Sequence, residues 1–315
     1  HCKVLNYYYV FAVDCINRVY NLINSKNIVK SIIFNGYDMK SSIIRKICII
    51  NDIPTYTLEV TLNKNKLVWD NISCIPTNKN LAKNYYWRYK DLLGNKDYNS
   101  YREEFFKNIA SKKQSEHISP KQQLSICKKK RTILFIAQVY IDTSIIFGIK
   151  DFKTPIHIIE QLVKYSLDQD TNLVIKIHPS ETYSEHLKDK ELTYKKLLKS
   201  RCIETISKHN SIIVDYNNKY DTYNLIDQAD VCVTINSQAG FEALLKGKEV
   251  ILCGESFYGG LGFTYDAIDK EDLIYYLERV LGNNSKRNNI DEVSKLFYIF
   301  NEMYCIEKNE SSLLE

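Results

Sequence analysis

Apolar and polar positions alternate along this chain in two textures. Short continuous runs of β-branched and aliphatic residues suit strands buried on both faces, and between them lie stretches whose apolar residues recur at helical spacing. That succession predicts an α/β protein. Residues 4–24 mix Tyr, Val, Phe and Leu at near-helical spacing and predict a helix. The run Val29–Phe34 predicts a strand ending on the turn signal Asn35-Gly36. A helix over 39–51, with Ile43, Ile44, Ile47 and Ile50 along one face, leads to Pro54 and a strand over 55–60. Residues 61–110 are less regular, with a Trp69-Asp70 segment and amphipathic helical stretches near 79–93 and 100–111.

The polar stretch 111–130, which carries Pro120, reads as a linker. Beyond it the alternation returns more clearly. Strands are predicted over 132–137, 172–177, 211–214, 231–235 and 250–253; helices over 154–167, 183–199, 222–228, 238–246, 269–282 and 290–306. Two Rossmann-like halves facing each other across a central cleft are the simplest architecture. The corresponding domains are 1–120 and 131–290, with a C-terminal helical segment, 291–315, packing back on the first. The stretch Asp230–Thr264 is the most informative. A buried strand runs into Asn236 and Ser237, either of which can cap the helix that follows; Gly247 stops that helix, and the next strand opens into a Gly-rich loop. Such a build suits a nucleotide at the carboxyl edge of a parallel sheet.

Composition narrows the classes. A net charge of +5, spread diffusely, argues weakly for anionic ligands, and no nucleic-acid reading motif accompanies it. The run Lys128–Arg131 reads as a solvated linker end. Nine cysteines, scattered and never spaced C-x-x-C, indicate free thiols in a reducing cytoplasm. No apolar run approaches the ~20 residues of a membrane span, and the N-terminus lacks a signal-peptide layout. A chain beginning at His1 reads as a processed or excised piece of something longer.

Three loops follow predicted parallel strands and should converge on one sheet edge. In Ala137–Gly148, Gln138 and Asp142 follow a fully apolar strand; Asp142 either caps a turn with Thr143 or Ser144 or serves a ligand. In Lys176–Glu181, His178 is held extended by Pro179 and can donate to a phosphate or protonate a leaving group, or is simply a turn histidine. Lys176, two residues earlier, is placed on the same strand face. In the third loop, Ser237 and the helix start suit a phosphate, and Glu242 suits ribose hydroxyls or a solvated helix face. Tyr258 and its flanking glycines either close over a base or sugar or form a tight turn around a core aromatic. The only D-x-D string, Asp168-Gln-Asp170, falls at the end of a predicted helix away from that edge; other carboxylate clusters for a metal, a G-x-G-x-x-G after a strand, a P-loop and a Ser nucleophile elbow are missing from the sequence.

The strings Q-x-x-x-D-x-S (Gln138, Asp142, Ser144), K-x-H-P (Lys176, His178, Pro179), N-S-Q-A-G-F-E-A-L-x-x-G-K (Asn236 to Lys248) and G-x-x-F-Y-G-G-x-G-x-T (Gly254 to Thr264) resemble the capsule polysaccharide synthesis family. These are the retaining β-Kdo glycosyltransferases that build the Kdo linker of bacterial capsules and some lipopolysaccharide O-antigens. The resemblance covers most of residues 131–265. It implies a GT-B-like fold of two Rossmann-like domains, an acceptor side in the first and a CMP-Kdo donor site in the second. It also implies Asp142 as the nucleophile of a double displacement, with His178 and Ser237 on the CMP phosphate and Glu242 on the ribose. Lys176 would balance charge. Gln138 is grouped with the catalytic residues, and Pro179, Asn236, Gln238, Gly240 and Tyr258 with the donor-binding ones. Asn35, Glu59 and Asp70 resemble the acceptor-side pattern, although Glu59-Val60-Thr61 departs from the family's acidic or glycine-containing turn. No cofactor or metal is implied; the partners are the CMP-sugar and a glycan or glycolipid acceptor, with no nucleic acid. Peripheral contact with the inner membrane or with capsule assembly enzymes goes with the family. Two other readings stay open: transfer of another sugar from a CMP or UDP donor, and a catalytically silent GT-B-like domain that binds a glycan or partner.

Overall fold

The computed structural model describes residues 2–71, 79–94, 96–115, 122, 124, 126–187, 189–282 and 287–308. The chain forms two compact units, one from His1–Tyr89 with Ile299–Glu315, the other from Lys90–Tyr298. It therefore has the α/β, two-unit organisation expected from its texture.

In the first unit, α1 (Cys2–Ser25) is followed by β1 (Ser31–Phe34), α2 (Met39–Ile50), β2 (Thr55–Val60), β3 (Lys66–Asp70) and α3 (Asn80–Tyr89). β1 and β2 are parallel, joined through α2, and Phe34 lies opposite Leu58. β3 runs antiparallel to β2, and a C-terminal strand, Cys305–Glu307, runs antiparallel to β3. The Asn35-Gly36 signal is a true turn, since both residues have positive φ (63° and 81°). Asp38 then starts α2 by accepting from the Ser41 amide at 3.1 Å. The helix predicted over 290–306 stops earlier: it ends at Ile299, passes through a π-helical turn at Phe300–Tyr304 and becomes the C-terminal strand. Lys66 on β3, almost wholly buried, receives that return through ion pairs to Glu302 at 2.9 Å and Glu307 at 2.5 Å.

The second unit carries α4 (Tyr98–Ser115), β4 (Thr132–Ile136), α5 (Thr143–Gly148), α6 (Pro155–Asp168), β5 (Asn172–Lys176), α7 (Ser180–Tyr183), α8 (Thr193–Leu198) and α9 (Ile203–Lys208). It continues with β6 (Ile212–Asp215), α10 (Thr222–Gln228), β7 (Val231–Thr234), α11 (Gln238–Leu245), β8 (Glu249–Leu252), β9 (Tyr265–Asp266), α12 (Lys270–Leu281) and α13 (Ile290–Ile299). Among the described residues its six strands are parallel throughout, in the order β6-β5-β4-β7-β8-β9. Counted within the unit this is 3-2-1-4-5-6, the dinucleotide-fold order, and it places the topological switch point between β4 and β7. Ile133, Phe135, Ile175, Val233 and Ile251 at the centre of the sheet are completely or almost completely buried, as strands covered on both faces must be.

The compact units part at Tyr89, whereas the sequence places the break after 120. Tyr101 and Phe105 of α4 pack on Phe297 of α13, with ring centroids 5.5 and 4.8 Å apart, which draws α4 into the second unit. Of the stretch read as a linker, 111–115 instead end α4, and 116–121, 123 and 125 lie outside the described residues; Leu124, which is described, is buried. Among the described residues no helix is long and apolar enough to cross a membrane.

Candidate functional site

The carboxyl ends of β4 and β7 are tied together by three polar side chains. Gln138, just beyond β4, is buried; its amide nitrogen donates at 2.8 Å both to the Ser144 hydroxyl and to Asn236 Oδ1. Its oxygen accepts from the Asn236 backbone amide at 3.1 Å. Asn236 in turn donates to the carbonyls of Ser144 (2.7 Å) and Glu255 (3.0 Å). Each polar group that a fully apolar strand delivers to the edge is thus satisfied by another one. Gln138 and Asn236 spend these groups on the protein, so their part is to hold the Asp142 loop against the start of α11. Asp142 is half-buried and caps α5, its Oδ1 accepting from the Ser144 amide at 2.8 Å. The cap expected from the sequence fixes the carboxylate's orientation at the switch point.

His178 lies one strand over, at the end of β5. Its Nδ1 accepts from the Ser180 amide at 3.2 Å, so the neutral ring carries its proton on Nε2. Burial holds its pKa below the ordinary histidine value; the carboxylates of Glu181 and Asp142 work against that, and Lys176 works with it. Asp142 is therefore close enough to act on His178 electrostatically. Pro179 is half-buried in the helical region immediately before α7.

Lys176 has a different task from the one the sequence suggests. β5 ends at Lys176, so period-two reasoning no longer carries over to His178 two residues on. The side chain is 2% exposed, and its ammonium donates to Asp215 (2.6 Å), Asn218 Oδ1 (2.7 Å) and the Tyr220 carbonyl (2.9 Å). Asp215 is its register partner on β6 and also accepts from the Lys219 amide at 2.8 Å. All three donors of the lysine are used to shape the loop between β6 and α10. They do not balance a ligand's charge.

Ser237 caps α11, its hydroxyl accepting from the Ala239 amide at 3.2 Å, and Gln238 is exposed as the first helical residue. Glu242 is half-buried on the same helix and accepts from the Tyr223 hydroxyl at 2.6 Å. Burial and this carboxylate push the Tyr223 pKa well above the tyrosine range, so the phenol stays a donor. Tyr258 is a core residue and not a lid. It is completely buried, stacks on Phe241 (5.3 Å, 27°) and donates to the Ser237 carbonyl at 2.5 Å. Gly240 is likewise buried, and its need for glycine is steric: a Cβ there would meet the Tyr258 hydroxyl at 2.3 Å and Thr234 Cγ2 at 2.7 Å. Both support the Ser237 turn from beneath.

The acceptor-side residues belong to the first unit. In the amide orientation that satisfies its neighbours, Asn35 donates to both Glu59 oxygens at 3.1 Å and accepts from the Tyr37 hydroxyl at 2.7 Å. Asp70 stands opposite Thr57, two positions from Glu59 on β2, so the two acids face the same side of the sheet. Asp70 accepts from the Tyr304 hydroxyl at 3.2 Å. The turn signal brings Asn35 to Glu59, while Asp70 is placed by β3, a strand the sequence pattern does not reveal.

Two residues that sequence reasoning did not single out shape this edge. Tyr223 reaches Glu242 from α10, and Glu181, on α7 just after His178, reaches Tyr140, Thr193 and Tyr194. For Glu181 the available signal was an acid two residues after the His-Pro pair, in a loop already expected at the edge. Among the described residues no three His, Cys, Asp or Glu side chains gather as a metal site requires.

Comparisons with known proteins add to this geometry. The profile of a family described as capsule polysaccharide biosynthesis protein matches residues 77–273, more than half of the chain. The lipopolysaccharide-processing protein LpsZ of Rhizobium meliloti is 32% identical over 93 residues, 30% of this chain; the match spans only 19% of that protein's length. Among solved structures, the β Kdo 2,4 transferase of Thermosulfurimonas dismutans KpsC superposes with a TM-score of 0.57 at 19% identity, covering 89% of this chain and 82% of that one. The β Kdo 2,7 transferase of the same protein gives 0.50 at 19% identity, over 92% and 81%. At such identity the likeness is one of fold.

Proposed function

The chain belongs to the capsule polysaccharide biosynthesis protein family, and on that premise we propose that it is a glycosyltransferase that moves Kdo from CMP-Kdo to a sugar of a glycan or glycolipid acceptor. In this reading the Asp142 carboxylate attacks the anomeric carbon as its bond to the CMP oxygen breaks, giving a glycosyl-enzyme and free CMP. The acceptor hydroxyl then attacks the same carbon, Asp142 leaves, and the hydroxyl proton is lost to solvent. Two inversions give net retention. CMP leaves readily once its phosphate charge is met. The Nε2–H of His178, the Ser237 hydroxyl and the partial positive charge at the start of α11 are suited to that task. Glu242 is suited to the ribose, steadied by Tyr223.

The observation that carries the proposal is the Gln138 amide bonded at once to Ser144 and Asn236, because it draws the Asp142 loop and the Ser237 turn to one edge. The test is transfer from CMP-Kdo by purified protein, with and without EDTA. Asp142→Ala should lose at least about a thousandfold in kcat; undiminished transfer in that variant would overturn the assignment. Absence of CMP binding by calorimetry would favour a domain that only holds a glycan or partner. Stronger thermal protection by UDP than by CMP would favour another donor.

A further inference from the structure

Resting on that reading, we propose that Glu181 is the positioning residue of the site: its carboxylate fastens the Asp142 loop and the start of α8 to the His178 loop. Glu181 is only 8% exposed, although Tyr183, two residues on, is 63% exposed. Its Oε1 accepts the Tyr140 backbone N–H at 3.0 Å and the Thr193 hydroxyl at 2.7 Å; its Oε2 accepts the Tyr194 N–H at 3.4 Å. Tyr140 is two residues before Asp142, so the first bond sets the height of the nucleophile loop. The Tyr194 bond stands in for a cap that α8 lacks, since Leu192 at its N-cap position offers no side-chain bond, and the Thr193 hydroxyl ties the first helical residue to the same carboxylate. Three segments thus meet on one carboxylate, Tyr140 from 41 residues before Glu181 and Thr193 from 12 after it.

A buried carboxylate is costly unless its oxygens are hydrogen-bonded or a cation pairs with it. Among the described residues no lysine or arginine forms an ion pair with Glu181. The three donors satisfy its oxygens, and its own backbone N–H donates to the His178 carbonyl at 3.0 Å, which keeps the two residues side by side. The charged groups acting on that imidazole are Glu181 on α7, Asp142 at the start of α5 and Lys176 on β5; Glu181 is the largest influence favouring the proton. Glu181 therefore couples the placement of Asp142 to the proton affinity of His178.

Glu181→Gln separates the two tasks. The amide oxygen can keep Tyr140 and Thr193, leaving its NH2 at the longest contact, Tyr194, while the charge is gone. Glu181→Ala removes both. The first readout is the NMR titration of His178 in the protein without any donor, its resonance identified by its loss in His178→Gln. In Glu181→Gln the midpoint should fall by about half a pH unit or more; an unchanged midpoint overturns the link. The second readout is kinetic: Glu181→Ala should lower kcat about tenfold or more with a smaller change in donor KM, as for a group that aligns the reacting atoms. Full kcat in that variant overturns the positioning role; should Glu181→Ala fail to fold, Thr193→Val, which removes the 2.7 Å bond and leaves the carboxylate in place, should lower kcat in the same way, and full kcat there overturns the role. Because the titration needs no donor, a protein that ignores CMP-Kdo defeats the proposed reaction and leaves the Glu181–His178 link to stand or fall by itself.

Discussion

Gly240→Ala puts one methyl group where the structure has no room for it. The added carbon would sit 2.3 Å from the Tyr258 hydroxyl and 2.7 Å from Thr234 Cγ2, both inside any real contact distance. Neither neighbour can swing aside. Tyr258 is completely buried between Phe241 and Phe257, and Thr234 is a buried strand residue whose hydroxyl donates to the Ile136 carbonyl at 2.9 Å. Overpacking of this kind costs about 1–3 kcal/mol. Displacing the Tyr258 hydroxyl from the Ser237 carbonyl adds about 1 kcal/mol. The better helix propensity of alanine returns about 1 kcal/mol. The net expectation is a loss of about 1–3 kcal/mol, or roughly 3–10 °C in the melting temperature of a unit this size. A double-mutant cycle in urea isolates the cause. Tyr258→Phe removes the colliding oxygen while the Ser237 carbonyl keeps the Gly240 amide at 3.0 Å. That single change should therefore be mild, and Gly240→Ala should cost about 1 kcal/mol less in the Tyr258→Phe background than alone. Additivity within about 0.5 kcal/mol, or a Gly240→Ala protein as stable as the wild type, would refute the steric account. Because the Tyr258 hydroxyl bonds the residue that caps α11, Gly240→Ala should also weaken the CMP binding proposed above, whereas a purely global effect would leave that binding intact wherever the protein remains folded.

Lys176→Met leaves Asp215 buried without its cation and should cost about 3–5 kcal/mol in urea unfolding. Adding Asp215→Asn removes the stranded charge and should restore part of that, since Asn can still accept from the Lys219 amide; an unchanged stability in Lys176→Met would refute the clamp. Burial lowers the pKa of His178 below its unfolded value, so the unfolded chain takes up the proton first. The histidine's contribution is then fully present above about pH 6.5 and is lost as the pH falls toward the lower, folded value. Thermal melts from pH 7.5 to pH 5 should show a shallower fall in His178→Gln than in the wild type, and equal slopes would contradict the assignment.

The sheet of the second unit was legible because parallel strands covered on both faces must read as unbroken apolar runs, as Thr132–Ile136 does. β3 was not legible, because its first residue is Lys66, whose burial depends on Glu302 and Glu307 at the far end of the chain. The same distance hides the end of α13: apolar residues keep a helical rhythm through Tyr304, and only pairing with β3 turns the backbone into a strand. At the site the limits have the same origin. A polar residue at the tip of an apolar strand signals that something must satisfy it, but not whether that partner is a ligand or the protein. Gln138 and Asn236 satisfy one another, Lys176 is taken by Asp215, and Tyr258 fills the space Gly240 leaves. Asp142, His178 and Glu242 are marked by the same reasoning and remain half-buried at the edge, where bonds to the Ser144 amide, the Ser180 amide and the Tyr223 hydroxyl orient them. Residue chemistry thus locates the edge where a donor would bind, and the register between strands decides which marked residues can still reach it. Register depends on long-range packing, so a single chain read in order yields the loops of such a site more readily than the roles of their members.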